Sequence, residues 1–119
     1  MENLLVERML LTLGLNNGEG VINQNYNEIF NLHKMLNDAK IPHTFQPFRG
    51  IGWQIIYPSD DDKRVMDAVE HSFSYGAEKD LLEIMGLLTD EELTHDTVLG
   101  GLTAEEVFKR IKTHWENKE

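Results

Sequence analysis

GWQIIYPSDDDKRVMDAVEHSFSYGAEKDLLEIMGLL, residues 52–88, joins a strand-like run with an aromatic anchor to the densest cluster of chemically capable side chains in the chain. Its opening, Trp53–Tyr57, is aromatic at both ends and β-branched within, which is strand composition, and Pro58, Ser59, Asp60, Asp61 and Asp62 supply a turn after it. Lys63–Phe73 is ambiguous. As a strand it directs Val65, Asp67, Val69, His71 and Phe73 to one face; as a helix it sets Asp67 and His71 one turn apart. Its length and the β-branched Val65 and Val69 favour a third strand in a meander. Gly76 closes that element. Ala77–Leu88 is then expected as a helix that buries Leu81, Leu82, Ile84, Met85 and Leu88, with Gly86 at a close-packing point.

Working back toward the N-terminus, His43–Phe48 alternates in a way that suits a strand, and Arg49, Gly50, Ile51 and Gly52 turn the chain into Trp53–Tyr57 to make a hairpin. Phe45, Trp53 and Tyr57 are expected to pack across it. A helix is expected from Asn23 or Asn25 to about Ala39, burying Tyr26, Ile29, Phe30, Met35 and Leu36, with Asn25 as its cap and Pro42 beyond its end. Glu2–Leu15 carries an apolar stripe at helical spacing, stopped by Asn16, Asn17, Gly18, Glu19 and Gly20. On the C-terminal side, Thr89 with Glu92 and Thr103 with Glu106 both match the capping box, so a short helical turn and a C-terminal helix begin there, separated by a loop over residues 95–101. The expected fold class is α+β: one domain over 1–119, a small antiparallel sheet of about three strands packed with about four helices.

Composition narrows the functions open to such a domain. The 119 residues include 21 acidic and 11 basic side chains, a formal charge of −10, which opposes direct binding to nucleic acid or anionic lipid and suits contact with a basic protein surface. No cysteine is present, excluding disulfides, thiolate metal sites and cysteine nucleophiles and fitting a reducing, cytoplasmic setting. The apolar run Met9–Leu13 is far below membrane-spanning length, and Glu2 and Glu7 stand where a signal peptide would be basic.

Nucleotide-binding glycine loops and a nucleophile elbow are absent. The Asp60–Asp62 run does not fit a calcium loop, because the sixth and twelfth positions counted from Asp60 are Val65 and His71 rather than glycine and a bidentate acid. The five histidines form no HxxxH or HxH pair, so no metal site is expected, and no cofactor either. The densest chemistry lies at Glu70–Gly76. There an imidazole, two hydroxyls and a phenol adjoin an expected helix start whose free amides, with Lys79, Lys63 and Arg64, suit an anion. The candidate ligand-binding set is Trp53, Arg64, His71, Ser74, Tyr75, Gly76 and Lys79, with Glu70 or Asp67 able to orient His71. No catalytic residue is assigned.

The strings GWQIIYP, EHSFSYGAEKDLLEIMGLLT and LGGLTAEEVFKRIKTHW resemble a family of short, uncharacterised proteins of tailed phages and prophages of Gram-positive bacteria, over roughly residues 30–116. Gly52, Trp53 and Gln54, His71 with Ser74, Tyr75 and Gly76, Leu81–Leu88, and Leu102–Glu105 carry the resemblance; Phe73 departs from it, standing where a small residue is expected. The resemblance implies a phage accessory protein acting in the cytoplasm of an infected or lysogenic host. By analogy with such proteins, a homo-oligomer that sequesters a small nucleotide-derived immune signal is the leading expectation. An acidic inhibitor of a basic nucleic-acid-binding surface on a host defence protein is the first alternative, and a small hydrolase using His71 the second.

Overall fold

The computed structural model describes residues 26–61, 63–72, 74 and 79–118. The expected helix at Glu2–Leu15 and the cap at Asn25 lie outside these. Helix α1 (Asn27–Asp38) leads into strands β1 (Thr44–Phe48), β2 (Gly52–Tyr57), β3 (Met66–His71) and β4 (Leu82–Met85), then the short helix α2 (Asp90–Leu93), strand β5 (Val98–Leu102) and helix α3 (Ala104–Asn117). The strands form one antiparallel sheet in the order β1-β2-β3-β4-β5.

The α+β class holds, but the sheet has five strands rather than about three, and the described residues hold three helices rather than about four. Two elements account for the difference. Leu82–Met85, expected inside a helix, is a strand in which Leu82 and Ile84 point inward and Glu83 and Met85 outward. Burial at a period of two overrode the helix propensity of Leu, Glu and Met. Residues 98–102, expected within a loop, pair with β4 through a register shift that lies opposite Gly100 and Gly101. The third-strand reading of Lys63–Phe73 is borne out by β3.

The core lies on one face of the sheet. Ile29, Leu32 and Leu36 of α1 and Val107 and Ile111 of α3 recur at three- and four-residue spacing, and they pack on Ile55, Tyr57, Met66, Ala68, Leu82 and Ile84. Each large apolar side chain so buried contributes about 2 kcal/mol. α1 ends in a Schellman motif: Ile41 N–H donates to Leu36 O at 2.9 Å and Lys40 N–H to Asn37 O at 3.0 Å, with Lys40 at φ 59°. α2 and α3 begin with the expected capping boxes, Thr89 with Glu92 and Thr103 with Glu106. The hairpin turn has Arg49 at φ 53° and Gly50 at φ 73°, closed by Ile51 N–H on Phe48 O at 2.9 Å, a type I′ arrangement matched to strand twist.

Gly52 is required for a different reason. It lies between Phe48 and His71 in the register, and those two rings stack over it, 4.8 Å apart and 12° from parallel. A Cβ at Gly52 would come within 2.1 Å of Glu70 O and 2.5 Å of His71 Cα, so a side chain there forces β2 and β3 apart.

Candidate functional site

β3 distributes the residues of the expected ligand pocket to different places. Trp53 pairs with Glu70 on the helix-covered face, whereas His71 pairs with Gly52 on the opposite face, so the indole and the imidazole are separated by the sheet. Trp53 belongs to an aromatic cluster, stacked on Phe45 at 5.2 Å and edge-on to Phe30 at 5.2 Å. His71 stacks on Phe48, and burial lowers its pKa more than Glu83 nearby raises it. Ser74 is buried with its hydroxyl committed to the turn: Oγ accepts from His71 N–H at 3.0 Å and donates to His71 O at 2.9 Å. Arg64 and Lys79 are exposed, and Arg64 precedes β3 while His71 ends it, roughly 23 Å away at strand rise. Tyr75 and Gly76 lie outside the described residues. The helix expected to offer its free amides to an anion is replaced by β4 over Leu82–Met85.

The histidines contain a pair that sequence spacing missed. His33, on α1, and His43, just before β1, meet with Nδ1 and Nε2 2.8 Å apart. His43 Nδ1 lies 2.9 Å from Ile41 O and must donate to it, which makes His43 Nε2 an acceptor and His33 Nδ1 a donor; Asn37 Nδ2 then donates to His33 Nε2 at 3.3 Å. Both rings are therefore neutral. Burial, helped by the neighbouring His43, holds His33 down to about 4. With His33 stacked on Phe45 at 4.2 Å, the pair fastens α1 to β1. No group of three metal-capable side chains converges among the described residues.

A second unforeseen network joins three carboxyls. The α1 N-cap residue, Tyr26, provides no side-chain cap, and its hydroxyl instead donates to Ile51 O at 3.2 Å. Distant acids take the free amides: Asp80 Oδ1 accepts from Glu28 N–H and Glu70 Oε1 from Ile29 N–H, each at 3.2 Å. Glu28 Oε1 in turn accepts from Ala104 N–H at 2.6 Å, in the first turn of α3. Asp80 holds a left-handed backbone, φ 57°, in making its contact.

The third feature is a surface. From residue 80 to residue 108 the chain has eight carboxylates, Asp80, Glu83, Asp90, Glu91, Glu92, Asp96, Glu105 and Glu106, and no lysine or arginine. These residues build β4, α2, β5 and the first turn of α3, and Asp90, Glu91, Asp96 and Glu105 are exposed. Exposed Leu93 stands among them, and Met85 is exposed on β4. Arg110 of α3 pairs with Glu92, with Nη2 on Oε2 at 2.7 Å and Nη1 on Oε1 at 2.9 Å, Nη1 also donates to Leu87 O at 2.8 Å, and the Glu106 carboxylate adds its attraction. These Arg110 bonds, together with the Thr89 amide, depress the Glu92 carboxyl to about 2. Beside this pair an open groove of about 630 Å³ runs between α3 and residues 87–89, with His114 at its wall hydrogen-bonded through Nδ1 to the buried Tyr57 hydroxyl at 2.8 Å.

No protein-family model, curated protein or solved structure matches the chain. Among the described residues no helix is long and apolar enough to cross a membrane.

Proposed function

We propose that the protein acts by binding rather than by turnover, as an acidic inhibitor that occupies a basic, nucleic-acid-contacting surface of a host defence protein. The observation that carries this reading is the run from Asp80 to Glu106, which holds eight carboxylates and no lysine or arginine, with Asp90, Glu91, Asp96, Glu105 and Glu106 exposed on α2, just after it and at the start of α3. A cationic groove built for phosphates is the complement of such a surface, and charge complementarity of this kind steers association and excludes the polyanion it displaces. The phage-protein resemblance and the absence of cysteine suit a cytoplasmic setting in an infected or lysogenic bacterium. Sequestration of a nucleotide-like ligand by Trp53 and His71 together has less support, because the sheet separates the two side chains. Hydrolysis through His71 also has less, since the Ser74 hydroxyl is bonded to backbone groups of the turn.

The test is displacement of fluorescent duplex DNA from a panel of host nucleases that cut foreign DNA, at about 50 and 300 mM salt, spanning the range in which screening between exposed charges strengthens. The expected result is displacement from at least one nuclease at low salt, strongly weakened at high salt and lost in the combined variant D90K/E91K/D96K. Displacement that this charge reversal leaves unchanged, or none from any nuclease tested, would contradict it.

A further inference from the structure

Glu70 is the one fully buried acid among the described residues, and only half of its carboxyl is accounted for by ordinary hydrogen bonding. Oε1 accepts from Ile29 N–H, while no donor among the described residues reaches Oε2. Asp80 and Glu70 accept from successive amides of α1, Glu28 N–H and Ile29 N–H, which sets the two carboxyls side by side at the helix start. Two ionised carboxylates present only lone pairs to each other and repel. One proton between them removes both difficulties, giving Oε2 a partner and the buried group a neutral form.

We propose that Glu70 is carried as the neutral acid and shares its proton with Asp80, making the junction of α1, β3 and the 79–81 segment a latch that closes with the proton and loosens without it. Asp80 is the natural recipient. It is partly exposed and already accepts from Glu28 N–H, so the negative charge of the pair rests at the α1 N-terminus, where the helix dipole favours it. Among the described residues, the titratable groups that face Glu70 are Asp80 and, from the start of α1, Glu28 and Tyr26, and none of them is a cation. Burial, the Asp80 carboxyl and the Glu28 charge push Glu70 up to about 9, and burial with the Glu70 charge raises the Tyr26 phenol.

The sign of the pH dependence follows. Between the ordinary glutamate value of 4.5 and about 9 the folded chain holds a proton that the unfolded chain has released, so stability falls as pH rises. The unfolding constant grows by up to about tenfold per pH unit across that window. The latch is fully closed below 4.5 and its contribution is lost as pH rises through about 9. Because Glu28, beside the latch, accepts from Ala104 N–H, opening it also loosens the start of α3. This device uses none of the exposed carboxylates reversed in D90K/E91K/D96K, so either can fail without the other.

The experiment is a carboxyl-carbon NMR titration of the full chain from pH 5 to 10, paired with unfolding of the wild type and Glu70→Gln over the same range. In Glu70→Gln the amide oxygen can accept from Ile29 N–H and the amide nitrogen can donate to Asp80, which reproduces the protonated acid without its titration. The expected outcome is a Glu70 carboxyl that stays protonated at pH 7, a wild type that weakens as pH rises from 6, and a variant that does not share that trend. Asp80→Asn should lower the Glu70 titration. A Glu70 resonance already ionised at pH 7, or parallel pH profiles for wild type and Glu70→Gln, overturns the proposal.

Discussion

The sheet has two halves that treat charge in opposite ways. The β1–β3 half, residues 40–72, has four basic residues (Lys40, Arg49, Lys63, Arg64) against five acidic ones (Asp60, Asp61, Asp62, Asp67, Glu70). It also ties polar side chains of its three strands together, through the ladder in which Gln46 Nε2 donates to Gln54 Oε1 at 2.9 Å and Gln54 Nε2 to Asp67 Oδ2 at 2.8 Å. The β4–β5 half sets eight carboxylates against no lysine or arginine within residues 80–108, with Glu92 paired to Arg110 of α3. Rings stacked over Gly52 and aromatic packing around Trp53 hold the first half together. The second half leaves Asp90, Glu91, Asp96, Glu105 and Glu106 exposed, and the proposed docking role rests on that asymmetry.

The largest effect should come from the inward side chains of β4. Leu82→Ala or Ile84→Ala is expected to cost about 3 kcal/mol in urea unfolding, and exposed Met85→Ala less than about 0.5 kcal/mol. Equal costs at all three positions would break the strand assignment. Next comes Gly52→Ala, which drives a methyl group into backbone atoms of Glu70 and His71 and should destabilise by about 2 kcal/mol while shifting the amide resonances of β2 and β3. A smaller change is expected for Arg110→Ala, roughly 1 kcal/mol at neutral pH, because the Glu92 pair it breaks is partly exposed. Glu92 has a depressed pKa, so its stabilisation is present above the ordinary 4.5 and lost as pH falls toward about 2. Acid unfolding should therefore show a smaller loss in Arg110→Ala than in wild type over that window. The charge-reversed D90K/E91K/D96K chain should lie within about 0.5 kcal/mol of wild type in stability, since all three positions are exposed, and change only what the protein binds.

Legibility followed the range of the interactions. Both capping boxes, the hairpin turn and the strands β1 to β3 are local signals and are correctly read. β4 was hidden because only four residues alternate, inside a segment of helix-favouring leucine, glutamate and methionine, and β5 because Gly100 and Gly101 look like loop residues. The candidate pocket depended on adjacency along the chain. Consecutive strand residues face opposite sides, and Glu70 and His71 are divided by that rule, which a strand reading of Lys63–Phe73 already contained. The His33–His43 pair, ten residues apart, and the Glu70–Ile29 bond, forty-one residues apart, depend on how α1 lies against the sheet, and no local pattern encodes them.

The most direct test of the acidic-surface account is to titrate ¹⁵N-labelled protein with a Lys/Arg-rich decapeptide and map the amide shifts, using residues 44–71 as the internal control. The account requires shifts concentrated between residues 83 and 106, suppressed at about 0.5 M salt as screening between exposed charges sets in. Shifts centred on Trp53 or His71, or a response near Asp90, Glu91 and Asp96 that salt leaves unchanged, would contradict it.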